Sequence, residues 1–82
     1  MTKVIIEQIL QETFHPQLLE VIDDSAKHAG HAGAKEGGHY HVNIVSSAFE
    51  GKKLIDRHRM IYEALKPVKE RIHALAISAK DK

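Results

Sequence analysis

The hydrophobic positions of this chain change period several times, and each change marks an element. In "TKVIIEQILQETF" the residues Val4, Ile5, Ile6, Ile9, Leu10 and Phe14 gather on one helical stripe, with Thr2 placed as an N-cap, which predicts a first helix closed before Pro16. "LLEVIDDS" is β-branched, alternates in part and is closed by Asp23, Asp24 and Ser25, which predicts a first strand. From Ala26 to Gly38 the periodicity vanishes. Gly30, Gly33, Gly37 and Gly38 punctuate a stretch without large apolar side chains, so a long mobile loop is expected there. "HYHVNIVS" then alternates, Tyr40, Val42 and Ile44 on one face against His39, His41, Asn43 and Val45 on the other: a second strand, antiparallel to the first.

In "FEGKKLIDRHRMIYEALKP" the residues Leu54, His58, Ile61 and Leu65 repeat at steps of four, three and four, while Ile55 and Tyr62 widen the stripe. This predicts a second helix, with Pro67 either stopping it or starting the next turn. "VKERIHALAISA" reads as a helical turn and a third strand, with Ile72, Ala74, Ala76 and Ser78 alternating against His73, Leu75, Ile77 and Ala79. The order helix, strand, strand, helix, strand predicts an α+β fold with the helices packed on one face of a small sheet.

Composition narrows the function classes. At 82 residues the chain is expected to form one domain, 1–82. A chain of this size buries only about 60% of its unfolded surface, which leaves little room for a deep active site. Twelve Lys and Arg against eleven Asp and Glu give a net charge of +1, so there is no global attraction for nucleic acid or anionic membrane. The absence of cysteine excludes disulfides, thiol nucleophiles and any Cys-ligated metal site completed by this chain alone. "MTKVIIEQIL" is interrupted by Lys3, Glu7 and Gln8, and reads as neither signal peptide nor membrane span. A cytoplasmic protein without membrane contact is expected. No nucleophile motif, phosphate loop or H-E-x-x-H signature is present, which argues against an enzyme.

What stands out is histidine: four of the seven, His28, His31, His39 and His41, lie between positions 28 and 41. His39 and His41, two apart on a strand, share a face and can chelate a metal, but the plainer reading of His41 is an exposed strand residue. An isolated zinc site built on "HAGHAG" is disfavoured, since structural zinc sites usually include thiolates. His73, judged by spacing alone, is an exposed strand histidine. His58 is expected to point inward with Leu54 and Ile61, in a structural role. Lys52, Lys53, Arg57 and Arg59 form a basic run suited to phosphates, to a partner's acidic groups, or simply to solvent.

"LEVIDDS", the His-bearing glycine loop, "HYHVNIVSSAFEGKKLIDRHRMIYEAL" and "IHALAISA" together resemble the BolA family over nearly the whole chain. The resemblance implies a class II KH-like fold with a three-stranded mixed sheet. It also implies pairing with a monothiol glutaredoxin and a bridging [2Fe-2S] cluster shared with that partner and glutathione, in iron-sulfur cluster assembly and trafficking or iron sensing. Imidazole nitrogens can replace thiolates in such clusters, as in Rieske centres. By family position His73 corresponds to the C-terminal ligand histidine. His28 stands where the family carries a variable loop ligand, with His31 as the alternate. His39, followed by the aromatic Tyr40, occupies the place of a structural histidine. An apo monomer without a tightly held metal of its own is expected. If the source is eukaryotic, an organelle such as the mitochondrion becomes an expected location. The family's second association is DNA binding in transcription regulation. The G-x-x-G loop of RNA-binding KH domains is absent, because "FEGKKLID" carries only Gly51, and this weakens an RNA reading.

Overall fold

Ile6, Leu10 and Phe14 recur every four residues and are the buried face of the first helix, α1 (Thr2–Phe14), which already includes Thr2. His15 ends it in left-handed backbone with φ 44°, its amide still donating to the Gln11 carbonyl at 3.0 Å, and Pro16 follows. The computed structural model describes residues 2–25 and 38–82. Beyond α1 it contains β1 (Leu18–Asp23), β2 (Gly38–Val45), α2 (Leu54–Ala64) and β3 (Ile72–Lys80), with short 3-10 helices at Ser47–Phe49 and Lys66–Arg71.

The order within the sheet is β1-β2-β3. Central β2 runs antiparallel to β1, with Val42 opposite Val21, and parallel to β3, with Val42 opposite Ile77. A parallel neighbour needs a crossover, and α2 supplies it. The α+β class and mixed sheet expected from the sequence are therefore present. On β2 burial alternates strictly, so Tyr40, Val42 and Ile44 meet the helices while His39, His41 and Asn43 lie on the opposite face. Phe49, wholly buried, packs its ring 5.0 Å from that of Phe14 and joins α1 to the segment before α2.

Two expectations need correction. Leu54, Ile55 and Tyr62 do not belong to the buried stripe of α2; they are 62%, 58% and 53% exposed. The helix starts at Leu54, and its packing side runs instead through half-buried Arg57, whose guanidinium reaches the Ala79 carbonyl of β3, then Ile61 and Leu65. The alternation expected for the third strand holds only from Ala74 onward. Gly38 pairs with Ile72 and His39 pairs with Ala74, so His73 is an extra residue in a β-bulge.

Candidate metal-binding and partner-docking site

That bulge builds the site. Leu75, Ile77 and Ala79 stand opposite the core residues Tyr40, Val42 and Ile44, and unbroken alternation would aim His73 at the helices as well. The extra residue breaks the alternation: Ile72 packs against the core, and His73 is exposed. Its ring comes to rest beside that of His39, centroids 5.1 Å apart and planes inclined by 43°. The bulge thus re-aims one side chain.

His39 is fixed through its backbone. Its amide donates to the Ser25 hydroxyl at 3.1 Å and its carbonyl accepts from the Asp24 amide at 2.7 Å. Ser25 is in turn tied to Asp23, whose Oδ1 accepts from the Ser25 amide at 2.8 Å. These bonds from Ser25, with a smaller contribution from Lys3, hold the Asp23 carboxyl below the usual carboxylate range. Gly38 is here for want of space: a Cβ would lie 2.6 Å from the Tyr40 ring and 2.7 Å from Ser25 Oγ. Ser25 and Gly38, the described residues on either side of segment 26–37, are therefore both anchored beside the His39–His73 pair.

On the side of α2 the site continues into a groove of about 290 Å³ lined by Tyr62, Leu65, Lys69, Ile72, His73 and Leu75. A second hollow, of about 240 Å³, is lined by Asp24, His39, Tyr40 and Ala74 to Ala76. The two share Ala74 and Leu75, so the histidine pair stands where they meet. Among the described residues no group of three or more His, Asp or Glu side chains is placed to hold a metal ion.

The other residues singled out by sequence are dispersed. His28 and His31 lie outside the described residues. His58 is half-buried on α2, and His41 is half-buried on the face of β2 away from the helices. Lys52 and Lys53 are exposed before α2, with Lys53 at its N-cap. Arg59 is exposed and stands 3.9 Å from Asp56. Arg57 is committed to the fold, donating to the Lys52 carbonyl at 3.0 Å and the Ala79 carbonyl at 3.1 Å. Sequence reasoning missed the contact between His39 and His73, and with it Tyr62 and Lys69 in the groove. One signal was available. Strict alternation in "IHALAISA" sends an ionisable His73 into the core and Ile72 out of it, and a bulge resolves that conflict.

A family model described as BolA-like protein matches residues 10–82. The chain is 41% identical over 73 residues to the DNA-binding transcriptional regulator BolA of Escherichia coli, covering 88% of this chain and 68% of that protein. It is 43% identical to the chloroplastic/mitochondrial SufE-like protein 1 of Arabidopsis thaliana, covering 92% of this chain and only 22% of that much longer protein. Among solved structures, the BolA domain of SufE1 from Arabidopsis thaliana superposes with a TM-score of 0.83 at 45% identity, covering 96% of this chain and 90% of that one.

Proposed function

Since the chain belongs to the BolA family, we propose that it is an adaptor that binds a monothiol glutaredoxin and shares a bridging [2Fe-2S] cluster with it. The observation that carries this reading is the exposed His73 imidazole, turned out of the core by the bulge at the sheet end where both flanks of the His28 and His31 segment are anchored. A [2Fe-2S] centre tolerates imidazole in place of thiolate on one iron, so a chain without cysteine can hold one side of it. His73 provides one nitrogen, and His28 or the alternate His31 a second; the thiolates come from the glutaredoxin and glutathione. The groove from Tyr62 to His73, lined also by the exposed Lys69, suits the apolar contact and carboxylate groups of such a partner. The chemistry is binding and handover, for cluster trafficking or iron sensing. Such a role places the protein in the cytoplasm or in an organelle such as the mitochondrion.

The test is visible absorption and circular dichroism while the chain is titrated into a cluster-loaded monothiol glutaredoxin. The native chain changes the spectrum to saturation; His73→Ala abolishes the change, and His28→Ala or His31→Ala weakens it. No spectral change and no complex with the native chain would sink the reading. The relative named as a DNA-binding transcriptional regulator supports a second reading, in which the exposed Lys52 and Lys53 meet phosphates. That reading requires DNA affinity that falls steeply with salt and drops when both lysines are replaced.

A further inference from the structure

We propose that the outer edge of β1, with the groove beside it against α1, docks an extended lysine- or arginine-bearing segment of a partner protein, added to the sheet as a further strand. β1 is an edge strand, since β2 lies between it and β3. In an antiparallel ladder, residues bonded across to the neighbouring strand alternate with residues whose amides and carbonyls face the other way. The Asp24 amide donates to the His39 carbonyl at 2.7 Å, and the same register sets Ile22, Glu20 and Leu18 opposite His41, Asn43 and Val45. These residues therefore turn their backbone groups toward β2. Leu19, Val21 and Asp23 turn theirs outward, where no strand of the sheet meets them. Such an edge is a template for strand addition.

A groove of about 570 Å³ lies at this edge, lined by Glu7, Gln8, Gln11 and Glu12 of α1 and by Leu19 of β1. Leu19 and Val21 are on the helix side of the sheet, and a strand added beside them places every second side chain on that side. A lysine or arginine there lays its methylene stem against Leu19 and carries its charge to Glu7 and Glu12. The other side chains come to lie beside Leu18, Glu20 and Ile22, all exposed on the open face.

Charge selects the occupant. The chain carries a net charge of +1, yet it has no Lys or Arg between Lys3 and Lys27, an interval that holds Glu7, Glu12, Glu20, Asp23 and Asp24. Lys3 acts on Asp23, at the opposite end of β1 from Leu19, and no cation lines the groove itself. A second copy would bring two acidic edges together, like charge against like. A basic strand gains from the same carboxylates. This edge is the one away from β3 and His73, so the inference goes beyond the glutaredoxin reading and does not rest on it.

The experiment titrates a capped peptide of alternating lysine and valine, about seven residues long to match β1, into the full chain at low salt without glutaredoxin. Amide NMR shifts and amide hydrogen exchange are the readouts. Exchange at Leu19, Val21 and Asp23 should slow as their amides gain partners, and added salt should weaken binding. The double variant Glu7→Gln, Glu12→Gln, its fold verified by NMR, should bind about fivefold more weakly. Two control peptides should fail: one N-methylated at every residue, which keeps its charge and loses its donors, and one with glutamate in place of lysine. Unchanged exchange at the three amides in millimolar peptide overturns the proposal, as does equal binding of either control. Slowed exchange that appears without peptide and grows with protein concentration also overturns it, and makes a second copy the occupant. Each of these results leaves the spectral test with glutaredoxin and His73→Ala untouched.

Discussion

The hydroxyl of Ser46, wholly buried, donates to the Phe14 carbonyl at 2.7 Å while accepting from the Ala48 amide at 3.1 Å. One side chain therefore satisfies the last residue of α1 and caps the 3-10 helix that follows β2. The second bond is the one expected of a serine N-cap. Removing the hydroxyl takes the donor from the buried Phe14 carbonyl and the acceptor from the Ala48 amide. Ser46→Ala is expected to cost about 1–3 kcal/mol in urea unfolding, with an unchanged denaturant slope. Equal stability of variant and parent would mean that another group takes over both bonds.

Arg57 and Arg59 are two residues apart and have different tasks. The Arg57 guanidinium bridges the Lys52 and Ala79 carbonyls, joining the approach to α2 to the end of β3, whereas the exposed Arg59 stands 3.9 Å from Asp56. Arg57→Ala should lower stability by about 1 kcal/mol. Arg59→Ala should stay within about 0.5 kcal/mol of the parent. Any loss of partner or DNA binding in Arg57→Ala must then be corrected for the unfolded fraction. Chemical denaturation of the two variants side by side decides it, and equal destabilisation would remove the distinction.

The strands and helices were legible because burial follows their periods: Ile6, Leu10 and Phe14 on α1, and Tyr40, Val42 and Ile44 on β2. The errors arise where tertiary structure overrides local period. Leu54 and Ile55 fit a helical stripe, but the first turn of α2 sends Arg57 to β3 and leaves both of them exposed. Arg57 reads as part of a basic run because charge is all that sequence displays, while its carbonyl partners belong to distant positions of the chain. His73 was singled out through family resemblance. Its neighbour His39 was not paired with it, because the bulge is a property of register whose one trace in the sequence is the conflict in alternation at Ile72 and His73.

Two glycines are held for different reasons, and their alanine variants should fail differently. At Gly38 the backbone is ordinary but space is lacking, with Tyr40 and Ser25 closing over the position. Gly38→Ala should cost about 1–3 kcal/mol through overpacking and should shift the NMR signals of the Tyr40 ring. Gly51 has open space around it but φ of 73°, so Gly51→Ala should cost about 1–2 kcal/mol from backbone strain alone. The Tyr40 signals should then stay in place. Identical Tyr40 shifts in both variants would contradict the separate causes.

The bonds from Ser25 lower the folded-state pKa of Asp23, and this fixes the sign of one pH effect. A carboxyl with a depressed folded pKa adds stability that is fully present above its unfolded pKa, near 3.9, and is lost as pH falls through the lower folded value. Asp23→Asn should therefore be less stable than the parent at neutral pH, and the gap should close in acid. Asp23 is exposed, which keeps the gap small. The same bond positions Ser25, whose hydroxyl receives the His39 amide, so the Asp23→Asn variant should also perturb the ring signals of His39 and His73 at neutral pH. Urea titrations at several pH values, paired with NMR of those two rings, test both halves. A stability gap that widens on acidification would contradict the assignment of Asp23 as the bonded carboxylate.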